Sequence, residues 1–196
     1  MSDLELQKSL PYIKNFRNAL DIGSCEGTTV LDFSEKFEHV YAFEPLKETF
    51  KTLIENTKHL DNVTCYNYAL GESAGKIEIT NLVGHPWRNK VLDEDGKKFL
   101  DYRVKSRKLS DEEWSIETVD LINIDSFEFT NIDFVKIDTE GYVLPVLKGM
   151  KKTLIENKPP AIFVEVQRTD KKVFEFLSEL DYSFNKADKL NFIFYK

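Results

Sequence analysis

Four carboxylates close apolar runs of this chain, and carboxylates in that position can do chemistry. Asp21 lies in Leu20-Asp21-Ile22, Glu44 follows Val40-Tyr41-Ala42-Phe43, Asp138 follows Phe134-Val135-Lys136-Ile137, and Glu165 follows Ala161-Ile162-Phe163-Val164. In open α/β sheets ligands bind outside the carboxyl ends of the strands. Acids placed there can accept hydrogen bonds from hydroxyls, balance a cation or take a proton. The run ending at Ile22 enters the turn Gly23-Ser24-Cys25-Glu26-Gly27, after which a helical pattern begins. Glycine serves where backbone turns sharply or approaches a ligand closely. Glu44 stands about twenty residues beyond the first glycine, where nucleotide-binding βαβ units place the acid that holds ribose hydroxyls.

Charge decides which nucleoside fits. A dinucleotide needs G-x-G-x-x-G, so that pyrophosphate rests on backbone N–H groups at a helix N-terminus. Here Asp21 occupies the first glycine position and Glu26 stands in the turn, and both would repel a pyrophosphate. S-adenosylmethionine (SAM) has no phosphate; its ribose, ammonium and sulfonium all accept nearby carboxylate, so it fits better than NAD. On this reading Asp21, Gly23, Ser24, Cys25 and Gly27 hold the methionine and ribose side. Glu44 takes the ribose hydroxyls and Asn67 the adenine edge. Asp138 is expected either to act in catalysis or to contact the methionine ammonium. Glu140 would orient it or cap the next helix.

The acceptor side is read from fewer signals. Glu165 is expected to bond a substrate hydroxyl, or to be a solvated strand-end acid. Asp138, Glu140 and Glu165 could instead hold a hard cation, which wants oxygen ligands, but no ligand spacing is diagnostic and no metal is assigned. His85 is a candidate base because the histidine side chain suits proton transfer near neutral pH, and a lone loop histidine is more often merely exposed. Trp87 could stack on a sugar ring or anchor its loop on the core; Arg103 and Tyr142 are placed with it as acceptor contacts. From residue 84 to residue 108 there are eight basic and four acidic residues. A basic face of that kind suggests an anionic acceptor, such as a sugar phosphate or nucleotide-linked sugar, or else a solvated face.

The elements that must position these groups follow from periodicity. Leu6, Leu10, Ile13 and Phe16, interrupted by Pro11, read as a helical cap over residues 1–16. Apolar strands are expected at 18–22, 39–43, 63–66, 134–138 and 161–165. Helices carry Val30, Phe33 and Phe37; Leu46, Phe50, Leu53 and Ile54; one continuous face of Val143, Leu147, Met150 and Leu154; and Val173, Leu177 and Leu180. Residues 72–120 break the rhythm: 76–80 alternates with period two, 81–101 has none, and 102–108 alternates again, placing Arg103, Lys105 and Arg107 on one face of a strand. This segment reads as an inserted antiparallel excursion and substrate region, with a tip that carries Gly84, Pro86 and Asp93-Glu94-Asp95-Gly96. A hairpin over 182–195 closes the chain. The fold class is α/β: one doubly wound, mainly parallel, seven-stranded Rossmann-like sheet in a single domain over residues 1–196.

Composition narrows the class further. At 196 residues with 41% hydrophobic and 31% charged content, the chain has the makings of a globular core. A net charge of −7 argues against nucleic acid as partner. No run is long enough for a membrane span, and Asp3, Glu5 and Lys8 interrupt any signal peptide, so the expected compartment is the cytoplasm. Cys25 and Cys65 fall at different strand ends, and no disulfide is expected between them.

The motifs also resemble a family. An Asp-Ile-Gly-x-x-x-Gly turn (residues 21–27), an Ala-Phe-Glu-Pro strand end (42–45) and a Lys-Ile-Asp-x-Glu-Gly…Leu-Lys-Gly block (136–149) are those of FkbM-type SAM-dependent methyltransferases, with lesser matches at 69–71 and 164–166. Cys25 replaces the Asn usual in the family's turn. The resemblance implies methyl transfer from SAM, usually to a hydroxyl of a sugar, glycan or small natural product. Two other readings compete with it: an NAD(P)-dependent reductase on a related fold, and a non-catalytic SAM-binding module.

Overall fold

The computed structural model describes residues 4–82, 84–106, 114–166 and 170–196. The chain opens with helix α1 (Leu4–Ser9) and a 3-10 turn (Leu10–Tyr12) with Pro11 inside it. Then β1 (Asn18–Ile22), α2 (Thr28–Ser34), β2 (His39–Phe43), α3 (Lys47–Thr57) and β3 (Val63–Tyr66) build the first parallel half. After β4 (Ala69–Leu70), β5 (Gly75–Leu82), α4 (Glu94–Lys105) and β6 (Trp114–Ile122), the chain returns with β7 (Ile132–Ile137). Helices α5 (Val143–Gly149) and α6 (Lys151–Asn157), β8 (Ala161–Glu165), α7 (Lys171–Glu179), β9 (Ser183–Lys186) and β10 (Asn191–Tyr195) complete it.

The main sheet has seven strands in the order β3-β2-β1-β7-β8-β10-β9, with β10 antiparallel to both its neighbours. The order reverses between β1 and β7, the switch point at which open α/β sheets bind ligands. Strand alternation gives each face its own core. Leu20, Ile22, Val135 and Ile137 pack with α5 and α6 residues on one side; Ala19, Val40 and Phe134 pack with Leu6, Val30 and Phe33 on the other. Both clusters are almost free of solvent contact. Among the described residues no helix is long and apolar enough to cross a membrane.

The excursion is antiparallel as expected, with β5 paired to β6 from Gly75↔Leu121 to Leu82↔Trp114 and β4 parallel beside β6. Its second expected strand is absent: residues 94–105 are helix α4, so Arg103 and Lys105 sit on a helix, while Arg107 lies outside the described residues. Local chemistry explains the correction. The Asp93 side chain caps the N-terminus by accepting from the N–H groups of Asp95 and Gly96. Lys98–Asp95 and Lys105–Asp101 pairs then bridge successive turns. A short run of alternation could not outweigh a capped helix.

The helix expected as one piece over 143–154 is two, broken at Met150 with φ −120°. A Cβ on Gly149 would lie 1.8 Å from the Gly71 carbonyl oxygen. Here the helix rests directly on the backbone entering the excursion, a long-range contact that a helical stripe does not encode.

Candidate functional site

Gly23 locks the turn after β1 against both neighbouring strands. Its N–H donates to the Phe43 carbonyl, and a Cβ there would stand 1.9 Å from the Asp138 carbonyl oxygen. With φ at +82° the position suits glycine alone. Ser24 clips the turn from inside: its hydroxyl donates to the Asp21 carbonyl and accepts from the Phe43 N–H. Gly27, at φ +92°, precedes α2 and faces Leu53 so closely that a Cβ would come within 2.7 Å of it. Two cofactor candidates are thereby placed inside the scaffold of the loop.

Glu44 sits where that turn meets β2. Its carboxylate accepts from the N–H groups of Cys25 and Leu46, at 3.1 and 2.9 Å. Burial pushes Glu44 up to about 7, although both N–H donors favour its ionised form. Asn67 is exposed and fastens the same strand end, its amide donating to the carbonyls of Glu44 and Pro45.

A cleft of about 770 Å³, counted to its open mouth, lies over the switch point. Gly23, Cys25 and Glu44 line it together with Asp138, Thr139, Glu140 and Tyr142, and Trp87, Asn89 and Val91 of the excursion complete the lining. Among the described residues no lysine or arginine lines it. Burial raises the Cys25 thiol to about 11, so at neutral pH it is a neutral wall group rather than a nucleophile.

Three acids gather tightly here, two of them lining the cleft. Carboxylate oxygens of Asp138, Glu140 and Glu165 all lie within 4.8 Å of one another, and no other set of acids, cysteines and histidines among the described residues converges in this way. That spacing would suit a cation or a shared proton. Burial, then the charges of Asp138 and Glu140, push Glu165 up to about 7. Glu140 is raised too, mainly by burial, with Lys90 opposing. It sits at φ +50° in a turn that Lys90 ties down from the excursion, through the Glu140 carbonyl at 2.8 Å and its carboxylate at 3.5 Å.

Several expected residues stand elsewhere. Asp21 is fully buried beneath the cleft, its carboxylate bonded to the Thr29 hydroxyl and to Lys136. His85 is exposed, packs edge-on to Trp87 at 5.5 Å and does not line the cleft. Arg103, on α4, does not line it either. Glu165 reaches the site through Asp138 and Glu140. Two residues have no role in the sequence reading: Lys90, lost in a segment without periodicity, and Lys136, which opens the Lys-Ile-Asp block as a cation within the apolar run of β7. The second carries a visible signal, since a lysine inside a buried strand needs partners.

These carboxylates fix a pH response. For both Glu44 and Glu165 the folded-state pKa lies above the ordinary 4.5, near 7. Between those values the folded protein holds more protons than the unfolded chain, so their stabilising contribution is complete below about 4.5 and is lost as pH climbs to about 7. Ligand-free protein should therefore melt at a higher temperature at pH 5 than at pH 7.5, with Glu44 accounting for on the order of 2–3 kcal/mol. Calorimetric scans of wild type and Glu44→Gln check this: the variant should show the shallower slope, and equal slopes would contradict it.

Comparison with known proteins places the chain. Residues 21–186 match the family described as the methyltransferase FkbM domain. The chain is 30% identical over 173 residues to the hexuronic acid methyltransferase AglP of Haloferax volcanii, covering 87% of this chain and 65% of that protein. The crystal structure of an FkbM methyltransferase from Methylobacillus flagellatus KT superposes with a TM-score of 0.63 at 17% identity, over 100% of this chain and 48% of that one. Fibrillarin of Aeropyrum pernix, solved with natively bound SAM, gives a TM-score of 0.54 at 11% identity, over 98% of this chain and 72% of its own. The chain thus spans about half to two thirds of the length of the FkbM structure and of AglP.

Proposed function

The chain belongs to the FkbM methyltransferase family, and from that premise we propose that it moves the methyl group of SAM to a hydroxyl of a sugar or glycan. One observation carries the reading: Glu44 and Asp138 end the strands on either side of the Gly23 turn and line the same cleft. The residues fit the cofactor. A ribose finds the Glu44 carboxylate, the cationic ammonium and sulfonium find the carboxylates of Asp138 and Glu140, and among the described lining residues no basic side chain stands to hold a pyrophosphate. That absence among the lining residues also weakens the reductase reading.

When bound, SAM supplies an already activated methyl group. The protein's part is to align the acceptor oxygen with it and exclude water. Asp138, or the Asp138–Glu165 pair, takes the hydroxyl proton as the oxygen attacks. Glu140 and Tyr142 bound the acceptor end, and Trp87, 57% exposed at the rim, offers a stacking face. The excursion over 72–120 is the acceptor-choosing part of one methyltransferase domain, and residues 1–16 are its cap. An anionic acceptor gains less from residues 84–108 than their composition implies, because Lys90, Lys98 and Lys105 are paired with acids of this chain. A hydroxyl-rich acceptor suits the acidic wall better.

Calorimetric titration with SAM, S-adenosylhomocysteine (SAH) and NADH tests the cofactor; NADH binding without SAM binding would return the reductase reading. A tritiated-methyl screen over neutral glycans, uronic-acid glycans and nucleotide sugars tests the acceptor. SAM binding with no transfer on that panel would favour a non-catalytic binding module. Glu44→Ala is expected to weaken SAM binding by about 1–3 kcal/mol, because the ribose hydroxyls and the Cys25 and Leu46 N–H groups lose their acceptor. An unchanged dissociation constant by the same titration would remove Glu44 from the site.

A further inference from the structure

Lys136 has no part in the reading so far, yet it is the most enclosed cation of the described structure. Its side chain is 4% exposed, and its ammonium stands 3.3 Å from an Asp21 oxygen and 3.4 Å from an Asp138 oxygen. Asp21 and Lys136 are register partners on β1 and β7, so both side chains leave the same face of the sheet. The groups charged toward the ammonium are Asp21 from β1, Asp138 at the end of its own strand, and Glu5 from α1 above. Burial opposes its charge, but these acids outweigh burial and hold its pKa above the ordinary lysine value.

The two carboxylates it bridges differ in surroundings. Asp21 is sealed in, with its second oxygen accepting from the Thr29 hydroxyl at 2.6 Å in the first turn of α2. Asp138 is open to the cleft on one side only. A continuous polar chain therefore runs beneath the site, from Thr29 through Asp21 and Lys136 to Asp138. A buried ion pair of this kind is an uncertain source of stability, and its best-attested use is to fix an arrangement.

We propose that Lys136 is a positioning residue for methyl transfer: by holding one oxygen of Asp138 from beneath, it presents the other to the cleft. Without it, nothing holds that oxygen from beneath, and the Asp138 side chain is left to Glu165 and Glu140 alone or swings out into solvent. The idea rests on the reading of Asp138 as the working acid, and its test separates the two.

Lys136→Met alone strands Asp21 in the core and risks the fold. Asp21→Asn/Lys136→Met removes both buried charges and supplies the second variant. Crystal structures of wild type and the folded variant, each with SAH, should show Asp138 on Lys136 in the first and rotated away in the second. An Asp138 side chain that keeps its place in the variant overturns the proposal. In solution the double variant should bind SAH within about fivefold of wild type, while kcat falls by about tenfold or more and acceptor KM changes little. Loss of SAH binding would make the buried Asp21–Lys136 pair part of the cofactor site, and wild-type kcat would make it structural only; either overturns the proposal. Should Asp138→Asn transfer methyl at the wild-type rate, the reading of Asp138 falls. Where no acceptor on the panel is methylated, the crystal structures alone decide for or against Lys136.

Discussion

Gly23→Ala is expected to destroy SAM binding, with a loss beyond about 100-fold, and to destabilise the fold by about 3 kcal/mol or more. A methyl at that position would stand 1.9 Å from the Asp138 carbonyl oxygen, inside any tolerable contact. The neighbour is backbone, so no side chain can swing aside. Relief requires β1 and β7 to part where the Asp138 N–H donates to the Ile22 carbonyl at 2.9 Å. The left-handed φ of +82° adds about 1–2 kcal/mol for any residue with a Cβ. The same movement displaces Asp138 and breaks the seat of the turn on Phe43, so binding and folding fail together. Gly75→Ala is the control, because nothing lies within 4 Å of the added methyl. Thermal melts and SAH titrations of the two variants decide it: a Gly23→Ala protein that keeps its SAH affinity would show that the turn is not part of the cofactor site.

The legible part of this molecule was the part written locally. Glu44 could be found because a strand, a glycine turn, a helix and a second strand have nearly fixed lengths, so spacing alone brings the acid back to the turn. The parallel order of the main sheet and the closing hairpin follow from apolar runs and turns in the same way. What stayed hidden depends on contacts far apart in the chain. Asp21 shows in the sequence only as an acid near a strand end, and its pairing with Lys136, 115 positions away, is set by the register of β1 and β7. The break at Met150 arises from the seating of Gly149 on Gly71, which no helical stripe records. Asn67 has the composition of a base-reading side chain, and its amide is instead occupied by two carbonyls of the β2 end. Arg103 was misplaced for a different reason: period-two alternation over a few residues is weak beside a capped helix with paired charges along it.

Asp138→Asn is expected to lower kcat by about 10²- to 10⁴-fold while SAH affinity changes by less than about tenfold. The substitution keeps shape and hydrogen-bonding reach but removes the negative charge and the ability to accept a proton. Asp138 is suited to the proton transfer by position: it ends β7 at the cleft, lies among the oxygens of Glu140 and Glu165, and has a fixed cation behind it. Burial and the neighbouring acids push Glu165 up to about 7, so the glutamate is the member of the pair that stores a proton. Glu165→Gln should therefore cost less than Asp138→Asn, because the proton store is replaced by an amide donor while the acceptor survives. Single-turnover transfer from tritiated SAM, on an acceptor found in the methyl-transfer screen, measures both variants against wild type. A Glu165→Gln defect larger than that of Asp138→Asn would exchange the two roles. A large loss of SAH binding in Asp138→Asn, with transfer from saturating SAM intact, would assign the residue to the methionine ammonium instead of the proton.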